Sequence, residues 1–123
     1  MIQLTKEIVA KAVIEEIKKN NGNSAIETRW VKSFYHPAKL VWKSSQSGYI
    51  PDIKVSSPEG NSDIYEIELS ENYNEEKWRL FALYAKKLRG RFILIVPESK
   101  VDKISSKLTK NKIHNTYLIA IKD

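Results

Sequence analysis

At 123 residues the chain has room for one domain with a real core, spanning residues 1–123, and not for two. It carries 21 Lys+Arg against 15 Asp+Glu, and the formal net charge of +6 favours a polyanionic partner, with nucleic acid the default candidate. The lack of cysteine excludes a disulfide scaffold, thiolate chemistry and a cysteine-rich zinc site.

The amino terminus has no long apolar core of the signal-peptide type, and no run approaches the length needed to cross a bilayer. A cytoplasmic protein without a membrane partner is therefore expected. Thr5 to Asn20 reads as a first helix: Thr5 is the N-cap, Leu4, Ile8, Val9, Ala12, Val13 and Ile17 recur at helical spacing, and Asn20-Asn21-Gly22-Asn23 ends it. Glu16 falls in the angular sector of Val9 and Ala12, and a carboxylate on an apolar face needs a partner, a function or a route to water. Ser24 to Tyr35 alternates as a strand, placing Ile26, Thr28, Trp30 and Lys32 opposite Glu27, Arg29, Val31 and Ser33. Arg29, Lys32, Lys39 and Lys43, interleaved with Trp30, Tyr35, Trp42 and Tyr49, suit a nucleic-acid surface of stacked rings and phosphate-holding cations. Trp30 reads better as core, Trp42 is open between the two roles, and His36 before Pro37 reads as a turn residue.

Ser44 to Gly48 is a flexible loop by composition and leads into Tyr49-Ile50-Pro51-Asp52-Ile53-Lys54-Val55. After a Ser/Pro/Gly/Asn-rich turn comes Asp63-Ile64-Tyr65-Glu66-Ile67-Glu68-Leu69-Ser70, so the two runs predict a β-hairpin. Strand alternation turns Glu66, Glu68 and Ser70 one way and Tyr65, Ile67 and Leu69 the other, and the returning strand brings Asp52 toward Glu66 and Glu68. Clustered carboxylates repel unless a cation sits between them, and a hard divalent ion with oxygen ligands is the usual answer. Asn72 to Leu88 predicts a second long helix with a broad apolar face. Phe92 to Val96 predicts a strand buried on both faces. A third helix from Ser99 to about Lys107 and a last strand from Asn115 to Ile121 complete the chain.

Pro51-Asp52, a hairpin, then Glu66-Ile67-Glu68, a helix and the buried strand Arg91 to Pro97 resemble the PD-(D/E)xK phosphodiesterase superfamily of restriction endonucleases and Holliday-junction resolvases. The resemblance implies a restriction endonuclease-like α/β fold, a central mixed sheet flanked by helices in the order α-β-β-β-α-β-α-β. It implies that Asp52 and Glu66, with Glu68 as a further ligand, hold Mg²⁺ or Mn²⁺ for phosphodiester hydrolysis, on DNA rather than RNA. It also implies an additional acid from the first helix, here Glu16, and allows a homodimer. The superfamily's lysine position is occupied by Glu68, so Lys77 or Arg79 of the second helix is the candidate replacement cation. A register shifted by one dipeptide makes Glu68 the motif acid, with Ser70 in the lysine place.

Two other readings stay open. One is a non-catalytic member of the same fold that binds nucleic acid or serves in an assembly, favoured by the missing lysine. The other is a plain hairpin with two exposed glutamates. Phosphate-loop, nucleophile-elbow and HExxH motifs are lacking, and with only two histidines a histidine-rich metal site is excluded.

Overall fold

The computed structural model describes residues 3–122. Helix α1 (Lys6–Asn20) begins where Thr5 Oγ1 accepts the Ile8 N–H. Seven strands follow in the order β1 (Ala25–Thr28), β2 (Leu40–Val41), β3 (Gly48–Tyr49), β4 (Ile53–Ser56), β5 (Ser62–Ile67), β6 (Phe92–Pro97) and β7 (Thr116–Ile121). Helix α2 (Glu75–Lys87) joins β5 to β6, and a 3₁₀ turn with helix α3 (Val101–Lys110) joins β6 to β7. The result is an α/β protein with a five-stranded mixed sheet, in the order β1-β4-β5-β6-β7, and three helices among the described residues.

The sheet has two halves. β1, β4 and β5 pair antiparallel, with Ile53 opposite Tyr65, whereas β5, β6 and β7 pair parallel through helical crossovers. Two helices cover one face: Trp78, Leu80, Phe81 and Ala85 of α2 and Ile104 and Leu108 of α3 pack on Ile64, Phe92, Leu94 and Val96. α1 covers the other, where Val9, Ala10, Ile14 and Ile17 pack on Ile53, Val55, Tyr65, Ile67, Ile93 and Ile95. β6 lies between both layers and every one of its residues is buried, as its unbroken apolar run requires.

The predicted strand over Ser24 to Tyr35 is shorter than expected. It stops at Thr28, because the Thr28 hydroxyl accepts the Trp30 N–H and donates to the Asp52 carbonyl, turning the chain away from the ladder. Ser33, at φ 78°, completes that turn. β2 and β3 form a small separate hairpin across the Ser44 to Gly48 loop. Among the described residues no helix is long and apolar enough to cross a membrane.

Candidate functional site: a carboxylate cluster under a basic cleft

Asp52 sits at the entry to β4, and continuing the β4–β5 register by one residue sets it opposite Glu66. Glu66 shares the α2-facing side of β5 with Ile64. Glu68 extends that side, its N–H still donating to the Ile95 carbonyl beyond the named strand. All three carboxylates are buried: Asp52 is 0%, Glu66 1% and Glu68 5% exposed. That overturns the exposed-glutamate reading of the hairpin. Such burial is costly unless cations and donors compensate it.

Two lysines compensate it, one from each helix layer. Lys6, the first residue of α1, places Nζ 3.1 and 2.9 Å from the two oxygens of Asp52 and 3.7 Å from Glu66 Oε2. Lys77, in the first turn of α2, places Nζ 2.5 Å from Glu66 Oε2 and 3.1 Å from Glu68 Oε1. Neutral donors complete the network. Trp30 Nε1 donates to Asp52 Oδ1 at 2.8 Å, the Ile67 N–H to Asp52 Oδ2 at 2.8 Å, and Trp78 Nε1 to Glu68 Oε1 at 3.3 Å.

Three carboxylates against two ammonium groups leave the cluster one positive charge short. Burial and the neighbouring Asp52 push the Glu66 carboxyl up to about 8, so it keeps a proton through much of the neutral range. Burial works against the charge of Lys77, but Glu66 and Glu68 outweigh it and hold the ammonium above its ordinary value. Glu66 Oε1 is buried without a hydrogen-bond partner. A buried oxygen of this kind is an unfilled acceptor.

A cleft of about 340 Å³ opens over Glu66, lined by Lys6, Arg29, Lys39, Lys77 and the Gly48-Tyr49-Ile50 stretch of the β2–β3 hairpin. Two bonds fix that wall to α2: Tyr84 Oη donates to the Val41 carbonyl at 2.8 Å, and Tyr49 Oη to Glu76 at 3.3 Å. The indole of Trp30 lies beneath both Lys6 and Arg29, whose charged groups are 5.6 and 5.0 Å from the ring centroid. A larger groove, about 660 Å³, is at the far end of the hairpin beside Asp63 and Arg91. Those two residues pair with each other, and among the described residues none of that groove's lining side chains is a buried group without a partner.

Asp52, Glu66, Glu68 and Lys77 are thus brought together, and Arg29 and Lys39 reach the same cleft. Glu16 is not brought there. It is exposed further along α1, beside a groove with Ala12, Val13 and Ile119, and the helix supplies a cation, Lys6, where an acid was expected. Arg79 points elsewhere and donates to the Asn111 carbonyl, leaving Lys77 as the cation that α2 contributes. Lys32 and Lys43 are exposed but do not line the cleft, and Trp42 is half-buried against the core and does not line the cleft either. Ser70 is exposed and caps the Asn72 N–H. Glu66 is the acid that shares an ammonium with Asp52. Sequence reasoning missed Lys6 and the polar role of Trp30. For Lys6 there was a signal: a lysine directly after an N-cap opposes the helix dipole and asks for an anion.

Asp52 and Glu66 could supply oxygen ligands to a hard divalent ion, through the unfilled Glu66 Oε1 and by exchanging the Lys6 ammonium that now occupies both Asp52 oxygens. Lys77 and the Trp78 indole both engage Glu68 through Oε1. Among the described residues no group of three acids or histidines is arranged to hold a metal by itself. No family model, curated protein or solved structure matches the chain.

Proposed function

We propose that the chain is a divalent-cation-dependent nuclease of the restriction endonuclease-like kind, cleaving a nucleic-acid phosphodiester, DNA in preference to RNA, in the basic cleft. The observation that carries this reading is the stacking of charge by depth. Four cations line a cleft whose floor is a buried carboxylate with an unfilled oxygen. Phosphate needs the first and a metal needs the second. The antiparallel hairpin followed by a parallel helical crossover supports the same fold reading.

Asp52 and Glu66 would hold Mg²⁺ or Mn²⁺, which when bound polarises the phosphate and activates water. The remaining roles belong to the chain. Arg29 and Lys39 draw the phosphate backbone into the cleft and orient it. Lys77 keeps its proton, so it acts as a fixed positive charge toward the oxygen that gains charge at the scissile phosphate, and not as a base. Trp30 and the Ile67 N–H hold the Asp52 carboxylate in one orientation.

A second reading, nucleic-acid binding without cleavage, is favoured by one observation: Lys6 already satisfies both oxygens of Asp52. An assay of DNA and RNA in single-stranded, duplex and branched forms with Mg²⁺, Mn²⁺ or EDTA separates the two. Cleavage that needs the metal and is lost in Asp52→Asn supports the nuclease. Retention of nucleic acid with no cleavage in any metal supports the binding protein, and loss of both at low salt removes both.

A further inference from the structure

We propose that Lys6 is a displaceable counter-ion: a divalent cation bound between Asp52 and Glu66 takes the place of its ammonium, and the released side chain becomes a phosphate contact in the cleft. The proposal rests on the reading of Asp52 and Glu66 as metal ligands.

The two lysines of the cluster are held differently. Lys77 is wedged between Glu66 and Glu68 at 2.5 and 3.1 Å, with 18% of its side chain exposed. Lys6 is 30% exposed and stands between Asp52 and Glu66, where an ion shared by those two acids would sit. An ammonium and a divalent ion cannot use the same oxygens, because their charges repel and the acceptor positions are already taken. Lys6, like Lys77, lies in the first turn of its helix. It occupies the first position of α1, where the aligned peptide dipoles disfavour a cation. Its side chain has somewhere to go, since it lines the cleft beside Arg29 and Lys39. The Trp30 ring, 5.6 Å from Nζ, gives it an apolar wall to lie along.

Metal and nucleic acid therefore favour the same state, with Lys6 swung out. Each raises the affinity of the other by the same factor. The metal-free protein keeps its acids neutralised, and the full set of phosphate contacts forms only after the ion has bound.

The test uses Mn²⁺ alone. In the wild-type protein, the rate at which an amine-labelling reagent modifies each lysine is followed by mass spectrometry as Mn²⁺ is added. In parallel, Mn²⁺ affinity is measured by calorimetry for wild type, Lys6→Met and Lys39→Met. The second variant removes an equal charge from the cleft without touching the acids. The expected result is that Lys6 labelling rises with Mn²⁺ while Lys77 labelling does not. Lys6→Met should bind Mn²⁺ at least about tenfold tighter, because no fraction of sites is blocked by the ammonium, and Lys39→Met should change much less. If Lys6→Met does not fold, the wild-type labelling decides. Unchanged Lys6 labelling while Mn²⁺ binds overturns the proposal and leaves the two acids as ligands. Equal effects of the two variants reduce Lys6 to general electrostatics and also overturn it. Absence of Mn²⁺ binding in every protein, wild type included, removes both the proposal and the nuclease reading.

Discussion

Lys77 stands in for the cation that the strand itself lacks. Alternation along β5 puts Glu68 on the same face as Glu66, and the ammonium that both acids share comes from the facing helix. Under the proposed nuclease function, Lys77→Met should lower metal-dependent cleavage by on the order of a hundredfold, the scale of losing one transition-state charge contact, whereas Arg79→Met should leave it nearly unchanged. Glu66 makes a second prediction, about pH. Its folded-state carboxyl is pushed up to about 8 by burial and by Asp52, while in the unfolded chain it titrates near the ordinary glutamate value of 4.5. Between those values the folded state holds the extra proton, so stability contributed at this site falls as pH rises through the window and levels off above it. Urea unfolding of wild type and Glu66→Gln across that range should show the difference, with the variant gaining on wild type as pH rises. Trp30→Phe keeps the ring but removes the donor to Asp52, and should cost about 2 kcal/mol in the same measurement, as for a hydrogen bond to a charged group. The three acids were legible from strand alternation together with the hairpin that returns β5 beside Asp52. Trp30 was not, because Asp52 lies 22 residues away and no local pattern reports so distant a contact, and the position of Lys6 after the N-cap announced a need for an anion but not that the anion is Asp52, 46 residues away.

At the scale of elements, the cleft exists because two helices begin at the same end of the sheet and a small hairpin walls it. That hairpin depends on Gly48, where an added Cβ would lie 1.9 Å from the Leu40 carbonyl oxygen. Gly90 is equally constrained, with a Cβ 1.7 Å from the Ser62 carbonyl oxygen, but it lies where β5 and β6 are drawn together. The two alanine variants should therefore fail differently. Gly90→Ala should destabilise the whole domain by about 3 kcal/mol in urea unfolding, the upper range for forced overpacking. Gly48→Ala should cost less stability and should weaken nucleic-acid retention, because it distorts the wall that carries Tyr49 and Ile50. The main helices and strands were legible in the sequence from caps and periodicity. β2 and β3 were not, since two-residue strands carry no period to read.

For the whole molecule, the surplus of +6 matters only through where it is exposed. Lys6, Arg29, Lys39 and Lys77 gather at one cleft, so nucleic-acid affinity should fall steeply with salt. Arg29→Ala should reduce the slope of log affinity against log salt by roughly one, whatever the base sequence. The measurement is a binding titration at several salt concentrations, and a slope unchanged by Arg29→Ala would place the binding surface elsewhere.

Local rules were enough to read from this chain the α/β class, the buried central strand, the hairpin and the face shared by Glu66 and Glu68, because caps, turns and side-chain periodicity act over a few residues. They were not enough to say which cations answer those acids. Glu16 and Lys6 sit on the same helix, and only its packing against the sheet decided that Lys6 reaches Asp52 while Glu16 faces solvent. The charge balance of a buried site is a sum over elements distant in sequence, and it takes a value only when the tertiary structure brings them together.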